Sequence, residues 1–98
     1  MAERNIAQRF KLLDPFKWNG QEVEELELER PNVKMIRRNG FPIEQGGQLP
    51  DADAVSKYMA DMSGMALEAI NFVSARDFMR FGEVLVSFFT DAESPTNQ

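Results

Sequence analysis

Sixteen Asp and Glu side chains are the reactive groups this 98-residue chain holds in quantity. It has no His and no Cys, a single Tyr and five Ser, which removes imidazole general bases, thiolate nucleophiles and the usual zinc ligand sets. Carboxylate chemistry stays open, and it needs two acids converging in a cleft with their pKa values pushed apart. Asp53 and Asp61 lie eight positions apart on one helical pattern, about 12 Å along its axis, too far to share a proton. Glu68 and Asp77 would have to be brought together by the fold. The densest acidic run, Glu22, Glu24, Glu25, Glu27 and Glu29, lacks the alternating Asp or Asn and the mid-loop Gly of a calcium loop. It reads as a solvated strand face whose like charges discourage pairing with another sheet. Arg37 and Arg38 are neighbours on a short helical run, so they point about 100° apart and seldom grip one phosphate. These residues imply no catalytic group, no cofactor and no metal, and they favour a protein that acts by binding another protein.

Eight Phe, one Tyr and one Trp within a 43% apolar composition are enough for one packed domain, which at this length buries roughly 60–70% of its unfolded surface. A net charge of −5 and a pI near 4.7 argue against a nucleic-acid partner, because phosphate neutralisation needs clustered Lys and Arg. There is no run of about 18 apolar residues, and Met1 to Asn5 lacks the charged-then-apolar order of a signal peptide. A soluble, cytoplasmic protein without a membrane partner is expected, and the lack of Cys fits a reducing compartment.

The clearest local pattern lies between Gln8 and Arg30. Two alternating runs flank Asn19-Gly20, the pair that favours a type I′ hairpin turn. Phe10, Leu12, Phe16 and Trp18 share one parity and so one face. A two-residue turn sets Trp18 opposite Gln21 and Phe16 opposite Val23, but continuing that register leaves Leu26 and Leu28 on the wrong side. One extra residue near Glu24-Glu25 restores the face, pairing Leu12 with Leu28 and Lys11 with Glu29 and leaving Leu13 as the outward apolar residue. Asp14-Pro15 suits irregular pairing there, since Pro15 cannot donate to a ladder.

Helical patterns fill the rest. A short run covers about 32–38 and stops at Asn39-Gly40, and residues 41–50, with two Pro and Gly46-Gly47, read as a mobile loop. Asp51 caps a helix to about residue 63 carrying Val55, Tyr58, Met59 and Met62, and a shorter piece covers 66–71. Ser74 and Asp77 form a capping-box variant that opens a last helix over 75–89. The predicted fold class is therefore α+β: an N-terminal two-stranded antiparallel hairpin (8–30) packed on three to four short helices in a single domain over 8–90. A flexible N-terminus (1–7) and a disordered tail (91–98) flank it.

On the last helix Phe78, Phe81, Leu85, Phe88 and Phe89, widened by Met79, Val84 and Val86, make a stripe covering more than half the circumference. That is more than one hairpin and one helix readily cover, and exposed apolar patches commonly mark partner sites. Phe78, Phe81 and Leu85 also read as ordinary core. The thioethers of Met59, Met62 and Met65 adapt to varied shapes, with core filling as the alternative for each. The candidate partner-contacting set is Met59, Met62, Phe81, Leu85, Phe88 and Phe89.

In order, Phe10-Lys11-Leu12, Asn19-Gly20 and the run from Val23 to Pro31, then Ser63-Gly64, Ser74 and Asp77-Phe78, resemble the small tail assembly chaperones of long-tailed (contractile-tail type) bacteriophages or prophages. The resemblance covers about residues 8–90, departing at 39–50, where a longer first helix would be expected. It implies that the protein binds the tape measure protein in the host bacterial cytoplasm, keeps it soluble, and is displaced as the tail tube polymerises. The tail tube protein and a second copy of the chain are further possible partners. Composition and size equally suit a structural tail or neck adaptor of the virion, and the strand glutamates would also suit an acidic mimic of nucleic acid.

Overall fold

Asn19 and Gly20 both adopt positive φ, 53° and 79°, as a type I′ turn demands, and the strands they join set the architecture. The computed structural model describes residues 5–42 and 51–90. Strand β1 (Ile6–Trp18) and strand β2 (Gln21–Glu29) form an antiparallel two-stranded sheet. Among the described residues four helices follow: α1 (Val33–Asn39), α2 (Ala52–Ser63), α3 (Leu67–Ile70) and α4 (Ala75–Thr90). This is the expected α+β order, with helix bounds within about a residue of those read from the periodicity. Ile6 and Ala7, expected in a flexible N-terminus, belong to β1. The remaining expectations of flexibility fall on residues 1–4, 43–50 and 91–98, which lie outside the described residues.

Next to the turn the pairing follows the expected register, Trp18 opposite Gln21 and Phe16 opposite Val23. Further along it does not. Lys11 faces Glu25 and Phe10 faces Leu26, so residues 12–15 of β1 span the single residue Glu24. The surplus is on β1 and not on β2: Leu28 lies opposite Gln8 instead of Leu12, and Glu29 opposite Ile6 instead of Lys11. Both arrangements shift the register by an odd number, which is all that face alternation requires, so alternation could not choose between them. The faces themselves come out as expected, with Phe10, Leu12, Leu26 and Leu28 buried and Leu13 exposed. On the outer face Arg9 pairs with Glu25 at 3.2 Å and Glu27 at 3.7 Å; pairs this exposed contribute at most about 1 kcal/mol.

Each longer helix starts where a side chain accepts an otherwise orphaned backbone N–H. Asn32 Oδ1 accepts from Met35 N at 3.0 Å, Asp51 Oδ2 from Ala54 N at 2.9 Å and Ser74 Oγ from Asp77 N at 3.2 Å. Helix α2 ends at Gly64, whose left-handed conformation (φ 78°) lets its N–H reach Ala60 O. Asp51→Ala should lower stability by about 1 kcal/mol, read as a fall of about 4–8 °C in thermal midpoint.

Helix α2 is the hub: it contacts β2, α1, α3 and α4, while α4 also packs on β1. Tyr58, Met59 and Met62 from α2, Phe81 and Leu85 from α4 and Leu28 from β2 are fully enclosed. Tyr58 keeps its polar end satisfied by donating its hydroxyl to Gly40 O at 2.6 Å. Burial, and then the nearby charge of Asp61, push its pKa up, so the phenol holds this bond as a neutral donor.

Candidate partner-binding surface

The irregular stretch of β1 turns two backbone donors away from β2, and a buried carboxylate on α4 collects them. Asp77, with no exposed surface, accepts from Leu13 N at 3.0 Å and Asp14 N at 2.8 Å through its two oxygens. Arg80 Nη1 donates to the same carboxylate at 2.7 Å, reaches Lys11 O at 3.1 Å, and carries its guanidinium 4.7 Å from the Phe10 ring centroid. Burial alone would push the Asp77 carboxyl up, but the two backbone donors and Arg80 outweigh it and hold the pKa below its usual value. Beside it Arg76 grips Asp14 with Nε at 2.8 Å and Nη2 at 3.0 Å, the two-pronged geometry that suits guanidinium and carboxylate. The hydrogen bond from Arg76, joined by one from Ser74, pulls Asp14 down to about 2.

The capping-box reading of Asp77 is thereby corrected. Ser74 caps as expected, but the Asp77 carboxylate serves the hairpin and not the start of its own helix. An Asp is one methylene shorter than the Glu or Gln of a capping box, and here two donors freed by the bulge lie within its reach. Pro15, a residue that cannot join a ladder, was the one sequence signal that β1 itself leaves the sheet here.

Of the six residues expected to contact a partner, Met59, Met62, Phe81 and Leu85 are wholly enclosed in the core, with no side-chain surface to offer in this conformation. The stripe on α4 is better covered than its width suggested, because Phe10 from β1 meets Phe81 edge-on at 6.0 Å and α2 closes the other side. Phe88 and Phe89 differ. Both are half-buried at the end of α4 and rest on the core without being enclosed by it.

Around them lies an aromatic group that the periodicity of α4 alone did not show. Phe89 stands edge-on to Tyr58 at 5.7 Å and to Phe41 at 6.4 Å, and the Arg30 guanidinium lies 5.6 Å from the Phe88 centroid. Tyr58 is sealed, whereas Phe41 is 66% exposed. Phe41, after the α1 cap, and Phe89, at the end of α4, thus form an aromatic patch over the enclosed ring of Tyr58, with Phe88 and Arg30 beside it. A smaller pair, Trp18 and Phe72 at 6.0 Å, lies by the hairpin turn.

The carboxylates singled out from the sequence do not converge as pairs. Asp53 pairs with Lys57 at 3.0 Å, Asp61 accepts from Asn39 Nδ2 at 2.9 Å with Arg38 at 3.8 Å, and Asp77 is committed to the bulge. Among the described residues no group of three or more Asp and Glu side chains is placed to hold a metal ion, and no helix is long and apolar enough to cross a membrane.

Comparison with curated proteins and with solved structures gave no match. A family model does match, over residues 9–90, which takes in the hairpin from Arg9 onward, helices α1 to α4, Asp77 and the aromatic end of α4. With most of its length covered, the chain belongs to the family described as phage tail assembly chaperone proteins, E, or 41 or 14.

Proposed function

We propose that this chaperone binds the tape measure protein of its phage, keeps it soluble in the host cytoplasm and is displaced when the tail tube polymerises around it. It acts by binding and not by catalysis. The observation that carries this reading is the open aromatic surface formed by Phe41, Phe88 and Phe89 on a closed core. A long helical partner exposes apolar stripes, and a partly recessed aromatic surface accepts such stripes through side chains at i, i+4 and i+7. The enclosed residues Met59, Met62, Phe81 and Leu85 support that surface from below, and Phe88 and Phe89 form its edge. Net negative charge keeps the loaded complex in solution.

Co-expression with the tape measure protein of the same phage tests it. Wild type should bring that protein into the soluble fraction, and Phe88→Asp should cut the soluble yield about tenfold while costing the domain only about 1–2 kcal/mol. Equal yields with Phe88→Asp and with Phe41→Ser would remove the aromatic surface from the reading. The chain should be absent from purified virions; its recovery there in stoichiometric amount would make it a structural tail or neck component instead.

A further inference from the structure

In a chain of net charge −5, α1 carries no acid and three cations, Lys34, Arg37 and Arg38. Their i, i+3, i+4 spacing gathers them within about 100° of arc. Met35, on the other side, is buried in the core and fixes which way the cations face. The three line an open depression of about 390 Å³. Arg38 also lines a second depression, of about 380 Å³, whose other walls include Lys57, Asp61, half-buried Met65 and 46% exposed Leu67. One guanidinium thus joins a cationic hollow to a partly apolar one.

Helix electrostatics accounts for only part of this. Arg37 and Arg38 in the last turn favour the negative end of the helix dipole, but Lys34 stands in the first turn, at its positive end. Like charges at i+3 and i+4 cost a few tenths of a kcal/mol each in so short a helix. Asp61 offsets one charge through Arg38 at 3.8 Å, while Lys34 and Arg37 have no ion pair among the described residues. Lys34 and Arg37 thus present positive charge that no described carboxylate pairs, and Arg38 links them to the depression that Met65 and Leu67 help to line.

We propose that this face docks an acidic amphipathic helix of a partner protein, its carboxylates on Lys34, Arg37 and Arg38 and its apolar side chains against Met65 and Leu67. A long polyanion such as nucleic acid is disfavoured by the negative charge of the rest of the chain, whereas a short acidic helix meets only the local field. The proposed chaperone role bears on whose helix this is, and the charge pattern sets its chemistry.

The test is fluorescence anisotropy of the full chain with a labelled helical peptide of about 18 residues, Glu on one face and Leu on the other, against the same peptide with Gln for Glu. The Glu peptide should bind and weaken at least tenfold between low and high salt, the Gln peptide should bind at least tenfold more weakly, and Lys34→Gln/Arg37→Gln should abolish the difference without lowering the thermal midpoint. Phe88→Asp should leave peptide binding intact. Three results would overturn the proposal: equal binding of both peptides; tighter binding of a single-stranded DNA of equal charge; and competition by inorganic phosphate alone at equal charge concentration. Concentration-dependent self-association that Lys34→Gln/Arg37→Gln removes would also overturn it, because the occupant would then be the β2 glutamates of a second copy. If the wild-type chain fails to bind the Glu peptide yet still solubilises the tape measure protein, this inference alone is lost, and the converse sinks only the proposed function.

Discussion

Asp77→Ala is expected to lower the unfolding free energy by about 3–5 kcal/mol, a large share of what a domain of this size possesses. The substitution leaves the Leu13 and Asp14 amides without their acceptor and Arg80 without its counter-charge, all at the contact between β1 and α4. Asp77→Asn should recover only part of the loss, since its amide group supplies one acceptor oxygen and turns a donor toward a backbone donor. Ser74→Ala, which removes only the helix cap, should cost about 1 kcal/mol. Urea unfolding of the three variants separates the roles. If Asp77→Ala costs no more than Ser74→Ala, the carboxylate is a helix-start residue and does not hold the bulge. The same network sets an acid limit. Asp14 and Asp77 both titrate below their unfolded value, near 3.9, so the stability they confer is complete above about pH 4 and is lost as pH falls toward the folded value, about 2 for Asp14. The urea midpoint should therefore drop between pH 4 and 2 in wild type, and with a shallower slope in Asp77→Asn.

Phe81→Ala should be of similar severity, about 3–5 kcal/mol, because the ring is fully enclosed and meets Phe10 edge-on. Phe81→Leu keeps most of the volume and should cost roughly 1–1.5 kcal/mol. Near-ultraviolet circular dichroism and the urea midpoint should register both, in that order. A loss below about 1 kcal/mol for Phe81→Ala would mean that α4 can shift to fill the space, and that its docking on β1 is looser than the contacts imply. In the co-expression assay Phe81→Ala should lose the partner along with the fold, in contrast to Phe88→Asp, which should lose the partner while staying folded.

Local chemistry made most of this fold legible. Asn19-Gly20 located the turn, Asn39-Gly40 and Ser63-Gly64 located two helix ends, and Asp51 and Ser74 located two helix starts, because in each case a backbone group must be satisfied within a few residues. What stayed hidden depended on partners distant in the chain. Period-two alternation reports register only as odd or even, so Leu26 and Leu28 could be assigned a face but not an opposite residue. The width of the α4 stripe says how much surface needs covering, but not that Phe10, Tyr58 and Phe41 arrive to cover it. Hence Phe81 and Leu85 turned out enclosed and Phe88 and Phe89 half-open, a division that spacing along one helix does not contain. Lys34, Arg37 and Arg38 were readable as one face from their spacing, yet the reading rested on the adjacent arginines alone, whose 100° separation hides the third cation between them.

Because the carboxylate that closes the β1 bulge lies 64 positions downstream of the amide it binds, the hairpin reaches its final form late in synthesis. A nascent chain that has left the ribosome only as far as α2 has both strands and their turn, but two amides of the first strand still open to water. Those amides lie on a strand edge, and an open edge recruits other strands. Asp77 on α4 therefore does for those two amides what a neighbouring strand would otherwise do, and it removes the opening for one.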